Sequence, residues 1–109
     1  MPSSQKFRDF IVNQFSSEFC ITTRKMMGEY ILYAQGKIFG GIYDDRLLVK
    51  DISEVHVLFP QGKLQLPYEG AKMMVFIPEE KLQNKDFLNS LLKRMLPKLT
   101  APKSSKKND

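Results

Sequence analysis

The stretch ITTRKMMGEYILYAQGKIFGGIYDDRLLVK, residues 21–50, decides the fold. Apolar and β-branched residues fill four short extended segments, 21–27, 29–34, 37–43 and 46–50, and each boundary carries a turn signal. Gly28 permits the backbone angles of a bend or bulge. Gln35-Gly36 has the form of a two-residue hairpin loop, with Gly36 supplying a positive φ. Asp44-Asp45 makes another tight turn, because short acidic side chains tolerate left-handed geometry. Three or four strands therefore follow one another as an antiparallel meander. Within it, Gly40-Gly41 marks a bulge or a close approach of a helix to the sheet.

Helices are expected at both ends of the chain. Ser3 or Ser4 can cap a first helix whose Phe7, Phe10, Ile11 and Phe15 recur at helical spacing, ending near Glu18. Asn84 caps a last helix with an apolar stripe of Phe87, Leu88, Leu91, Leu92 and Met95, and Pro97 stops it. Between meander and last helix, residues 51–59 read as a short helix capped by Asp51 or Ser53, the favoured reading, or as a strand ending at Pro60. Residues 61–70 read as a loop with a brief strand, and 72–77 as a strand closed by Pro78. The expected fold is α+β, an antiparallel sheet of about five strands packed against the N- and C-terminal helices.

With 109 residues, 42% of them hydrophobic, the chain suits one domain, residues 1–100, followed by a basic tail at 101–109 with no apolar periodicity, for which disorder is the default expectation. Apolar runs such as 73–77 fall far short of the ~20 residues that span a bilayer, so a cytoplasmic protein is expected. Residues 1–92 carry eleven Lys/Arg and eleven Asp/Glu, so the net charge of +5 resides in residues 93–109. A neutral body with a basic end is unlike a domain that lines a duplex with positive charge.

Catalytic and metal chemistry finds few candidates. His56 has no partner at metal spacing and reads as a structural or surface residue; the single cysteine, Cys20, between Phe19 and Ile21, reads as an inert thiol in an apolar setting. Asp44-Asp45 and Glu79-Glu80 serve turn geometry and a helix start. No metal, cofactor or catalytic residue is expected. Nearly every strand, by contrast, is apolar on both faces: Ile31 and Tyr33 against Tyr30 and Leu32, Ile38 and Ile42 against Phe39 and Tyr43, Leu47 and Val49 against Leu48. Two helices cover about one face. The other needs residues 51–59, a second copy of the chain, or another partner or apolar ligand, unless the chain partly covers it and leaves two or three tyrosines exposed.

Arg24-Lys25-Met26-Met27-Gly28-Glu29-Tyr30-Ile31-Leu32-Tyr33, then Gly36-Lys37-Ile38-Phe39-Gly40, then Asp44-Asp45-Arg46-Leu47-Leu48-Val49-Lys50 resemble the N-terminal domain of the TfoX/Sxy family of bacterial competence regulators. Met27 stands where that family usually has Phe, Ile31 where it has a second Gly, and Gln35 where it has Asp. The resemblance continues through Tyr68 to Pro78 and Leu88 to Met95, covering about residues 4–98. It implies a two-layer α+β fold like that of secretion-chaperone-like domains, in a cytoplasmic bacterial protein without a catalytic site. It also implies a stand-alone member, lacking the C-terminal helical domain of relatives that partner the cyclic-AMP receptor protein.

The residues the resemblance singles out as a possible interaction surface are Arg24, Lys25, Met26, Gly28, Glu29, Tyr30, Tyr33, Phe39, Gly40, Asp45 and Lys50. Several admit packing roles as well, with Arg24 and Glu29 a possible cross-strand ion pair. The leading expectation is a non-enzymatic regulatory domain that works through protein contacts of the sheet face or edge, with a receptor-like regulator or a second copy as partner. Two alternatives are a nucleic-acid-binding accessory protein using the tail with Arg24 and Lys25, and a small-ligand sensor centred on Tyr30, Glu29 and Cys20.

Overall fold

A computed structural model describes residues 3–99; the tail expected at 101–109 lies outside the described residues. Helix α1 (Gln5–Asn13) and a 3-10 turn (Ser17–Phe19) precede the meander β1 (Ile21–Met26), β2 (Glu29–Ala34), β3 (Lys37–Tyr43) and β4 (Arg46–Val49). Then come α2 (Ser53–Leu58), β5 (Lys63–Gln65), β6 (Met74–Ile77), α3 (Glu79–Leu82), α4 (Lys85–Met95) and a 3-10 turn (Leu96–Lys98) that contains Pro97. Among the described residues the sheet has six strands in the order β1-β2-β3-β4-β6-β5, antiparallel throughout and open at both edges. The brief strand in the 61–70 segment is the sixth. It pairs outside β6 and becomes an edge.

Each hairpin of the meander turns on two consecutive residues with positive φ: Met27 and Gly28 at 53° and 85°, Gln35 and Gly36 at 51° and 80°, Asp44 and Asp45 at 53° and 55°. Such turns match the twist of the strands they join. Gly28 thus serves a turn, and the bulge lies elsewhere. Leu32 faces Gly40 and Tyr33 faces Ile38, so Phe39 is an extra residue on β3. The slip sends the Phe39 ring toward the helices, 5.5 Å from Phe15. It also presses Gly40 against β4: a Cβ there would lie 2.3 Å from the Leu48 carbonyl oxygen and 3.0 Å from Val49 Cα. The close approach is between strands and does not involve a helix.

Register aligns Tyr30, Ile42, Leu47 and Ile77 across four strands, and all four are buried. They share one core with Ile11 of α1, Val55 of α2, Leu82 of α3 and Leu88, Leu91, Leu92 and Met95 of α4. Ser4 caps α1 and Asn84 caps α4, each accepting from the backbone N–H three residues on. Helix α1 ends at Asn13, earlier than the expected Glu18. Side chains hold the chain just past its end: Asn89 donates to the Gln14 carbonyl and accepts from the Ser16 N–H, while the Gln14 side chain donates to the Leu82 carbonyl. Helix α2 forms where a short helix was expected, but Ile52 holds the cap position and no side chain bonds there. Asp51 binds His56 Nε2 instead, at 2.5 Å.

The opposite face is covered at its centre by the chain itself. The Tyr43 ring lies over Gly41, where a Cβ would come within 2.6 Å of it, and Tyr68 sits 5.9 Å from Tyr43 between ring centroids. Arg46 fastens this cover, donating to the Tyr43 carbonyl, Gln65 Oε1 and the Leu66 carbonyl at 3.0, 2.7 and 3.5 Å. Leu48, on the same face, has no exposed surface. Cover comes from Tyr43 and the connection between β5 and β6, so this part of the face does not require a second copy. Ile31, Tyr33 and Ile38 toward β1 stay half-buried. Arg46→Ala is expected to cost about 1–2 kcal/mol in denaturant titration and to speed tryptic cleavage at Lys72, since the connection loses its guanidinium clasp.

Candidate interaction surface

The three motif residues nearest the turns are tied to the start of the chain. The Ser3 N–H donates to the Gly28 carbonyl at 3.1 Å, and Ser3 Oγ donates to Glu29 Oε1 at 2.6 Å. The Asp44 N–H reaches the same Glu29 oxygen at 3.2 Å, the Asp45 N–H reaches Ser3 Oγ at 3.0 Å, and the Ser4 N–H reaches Asp45 Oδ1 at 2.8 Å. A turn with two left-handed residues points its N–H groups away from the strand ladder, and Glu29 and Ser3 supply the acceptors. The expected ion pair between Arg24 and Glu29 is not made: Arg24 faces Ile31 in register, and Glu29 faces Met26. Sequence reading gave Ser3 only a capping role; nothing local to it points to a contact with Glu29, 26 residues away.

Five further motif residues are used in packing and pairing. Tyr30 is buried in the core face with the Arg8 guanidinium 5.1 Å above its ring. Phe39 and Gly40 make the bulge, and the Lys50 N–H donates to the Phe39 carbonyl at 3.0 Å. Tyr33 is half-buried on the opposite face, across from Thr22. The remaining motif residues, Arg24, Lys25 and Met26, are exposed and contiguous on β1, an edge strand. They continue into Met27, which is 94% exposed.

The residues proposed for chemistry are not brought together. Cys20 is exposed, contrary to the apolar setting expected of it. Its φ of 49° swings it outward where the 3-10 turn ends, while Phe19 turns into the core. Glu29 belongs to the turn network and Tyr30 to the core, so the two do not form a site with Cys20. Among the described residues no group of three or more His, Cys, Asp or Glu is placed to hold a metal ion, and no helix is long and apolar enough to cross a membrane.

A groove of about 520 Å³ runs beside the cover of the second face, lined by Tyr43, Lys50, Asp51, Tyr68, Lys72 and Met73 among others. Burial raises the Tyr43 pKa above its ordinary value, helped by the nearby Tyr68 and Glu29. The folded chain therefore keeps a proton that the unfolded chain releases. That contribution to stability is complete below the unfolded tyrosine pKa of about 10 and is lost as pH rises through the folded value. Alkaline denaturation should accordingly be less steep for Tyr43→Phe than for the native chain, measured by circular dichroism across that range.

Fold and surface together define a class of protein: an α+β domain on an open antiparallel sheet, with Ser3 and Ser4 bonded to two hairpin turns and one six-residue edge strand exposed. Within that class the chain belongs to the TfoX N-terminal domain family, whose model matches residues 13–97, and so is related to competence regulators. It is similar to an uncharacterized 12.7 kDa protein in the trpE 5' region of Spirochaeta aurantia, 27% identical over 106 residues that make up 97% of this chain and 91% of that protein. No solved structure matches the chain.

Proposed function

We propose that this domain is a non-enzymatic, cytoplasmic regulatory module that acts by binding another protein through the β1 side of its sheet. One observation carries the reading. Arg24, Lys25 and Met26 of the family motif stand side by side on an exposed edge and take no part in core, bulge or turn network. Packing explains the other motif residues but gives these three no task. A receptor-type transcription regulator of the kind competence regulators work with, or a second copy of the chain, is a partner of the proposed kind.

Light scattering over a wide concentration range, alone and mixed with purified cyclic-AMP receptor protein, tests this. A defined complex of either composition is the expected result. A monomer at every concentration, with no complex and a metabolite retained in native mass spectrometry, would replace the proposal with a ligand sensor.

A further inference from the structure

We propose that β1 is a docking edge for an acidic, extended segment of a partner protein, which adds beside Ile21–Met26 as a seventh strand with an apolar residue resting on Met26 and Met27. The inference rests on the interaction reading above and specifies its surface and the chemistry of its partner. The two edges of the sheet differ. β5 has three residues, whereas β1 has six, all in regular register with β2 and without proline or bulge. Among the described residues no strand lies beside its outer row of backbone N–H and C=O groups, and such a row is a template for another strand.

Charge selects the kind of strand. Arg24 lies on the face of Ile31, and Lys25 lies on the face of Tyr30, where Arg8 also sits. The edge thus shows a cation on each face of the sheet, and β1 contains no carboxylate. An added strand alternates its side chains between the faces, so two adjacent acidic residues would meet Arg24 and Lys25 at once. Pairing two copies of β1 would instead gather four cations on one ribbon. The chain's own residues 101–109 fit no better, since they hold Lys103, Lys106 and Lys107 against Asp109.

A charged edge by itself is a common protection against aggregation. The turn beside it is the opposite of protective. Met27 holds φ at 53°, a region that costs a non-glycine residue about 1–2 kcal/mol, and it is 94% exposed. The hairpin turn accounts for this φ, and it is the exposure of an apolar, adaptable side chain that a partner would explain. A groove between α1 and β1, lined by Arg8, Asp9, Val12, Asn13, Thr22 and Thr23 among others, gives the inner side chains of the added strand a place to lie. Nucleic acid would satisfy the cations but not the unpaired backbone row, so a peptide strand is the better match.

The test uses the full chain, isotope-labelled for NMR. Four probes are compared: a capped eight-residue peptide alternating Glu with Val and containing one Glu-Glu pair, the same peptide N-methylated at alternate residues along one edge, its Lys-for-Glu counterpart, and a single-stranded oligonucleotide. The acidic peptide is expected to shift and protect the amides of residues 21–26. Arg24→Glu together with Lys25→Glu, both exposed, should weaken it at least tenfold without loss of fold, and methylation on the pairing edge should weaken it equally. Unchanged binding after methylation, tighter binding of the oligonucleotide or of the Lys peptide, or no perturbation of β1 would each overturn the docking edge. If light scattering finds a protein complex that survives Arg24→Glu with Lys25→Glu, the edge is wrong while the interaction reading stands. If the native chain forms no complex and binds no peptide, both fail.

Discussion

Gly40→Ala is expected to destabilise the domain by about 3 kcal/mol or more, a large part of the stability of a chain this size. The reason is geometric. The added methyl would sit 2.3 Å from the Leu48 carbonyl oxygen and 3.0 Å from Val49 Cα, and both are backbone atoms of β4 held in a ladder with β3. Nothing nearby can rotate away, so relief requires β3 and β4 to separate in the centre of the sheet. Gly41→Ala is the comparison. Its methyl would meet the Tyr43 ring, the far end of a side chain, which can swing off the face at the cost of uncovering Leu48. Urea denaturation should rank Gly40→Ala well below Gly41→Ala in midpoint, and equal midpoints would contradict the bulge geometry.

Glu29→Ala should cost about 2–3 kcal/mol, because it removes the carboxylate that accepts from both Ser3 Oγ and the Asp44 N–H. Ser3 then loses the acceptor that orients its hydroxyl toward the Asp45 N–H, so the damage reaches the second turn. Glu29→Gln keeps an oxygen of the right reach and loses the charge, and about half of the penalty is expected. A double-mutant cycle with Ser3→Ala measures the link. The two single penalties should fail to add, since both remove the same bond. Full additivity would show that Ser3 is not fastened through Glu29. Amide exchange provides a second reading, with the Asp44 and Asp45 amides losing protection before the core strands do.

These two sites show where sequence reading reached and where it stopped. The meander, its turns and the two capped helices are local matters. Gln35-Gly36 and Asp44-Asp45 bend where expected because backbone preference acts within a few residues, and Asn84 caps α4 for the same reason. The early end of α1 is different, because it depends on Asn89 reaching back to Gln14 and Ser16. The exposure of Cys20 has a related cause. Apolar neighbours on both sides suggested burial, but a single left-handed φ at the end of a 3-10 turn reverses the direction of its side chain. The candidate surface was legible only as a string of motif residues. Which of them face solvent follows from register: Tyr30 and Arg24 are both motif residues, yet one is in the core and the other on an open edge.

Residue order alone was enough to establish an α+β domain, its hairpins, its family and the surplus of apolar strand surface, because each of these follows from short-range pattern. Only the folded chain decided how that surplus is distributed. Tyr43, Tyr68 and Arg46 close the centre of the second face, and Ser3 joins Glu29 across a wide gap in sequence. Contacts between distant segments depend on packing and register, which no stretch of sequence contains by itself, and they leave β1 as the long open edge.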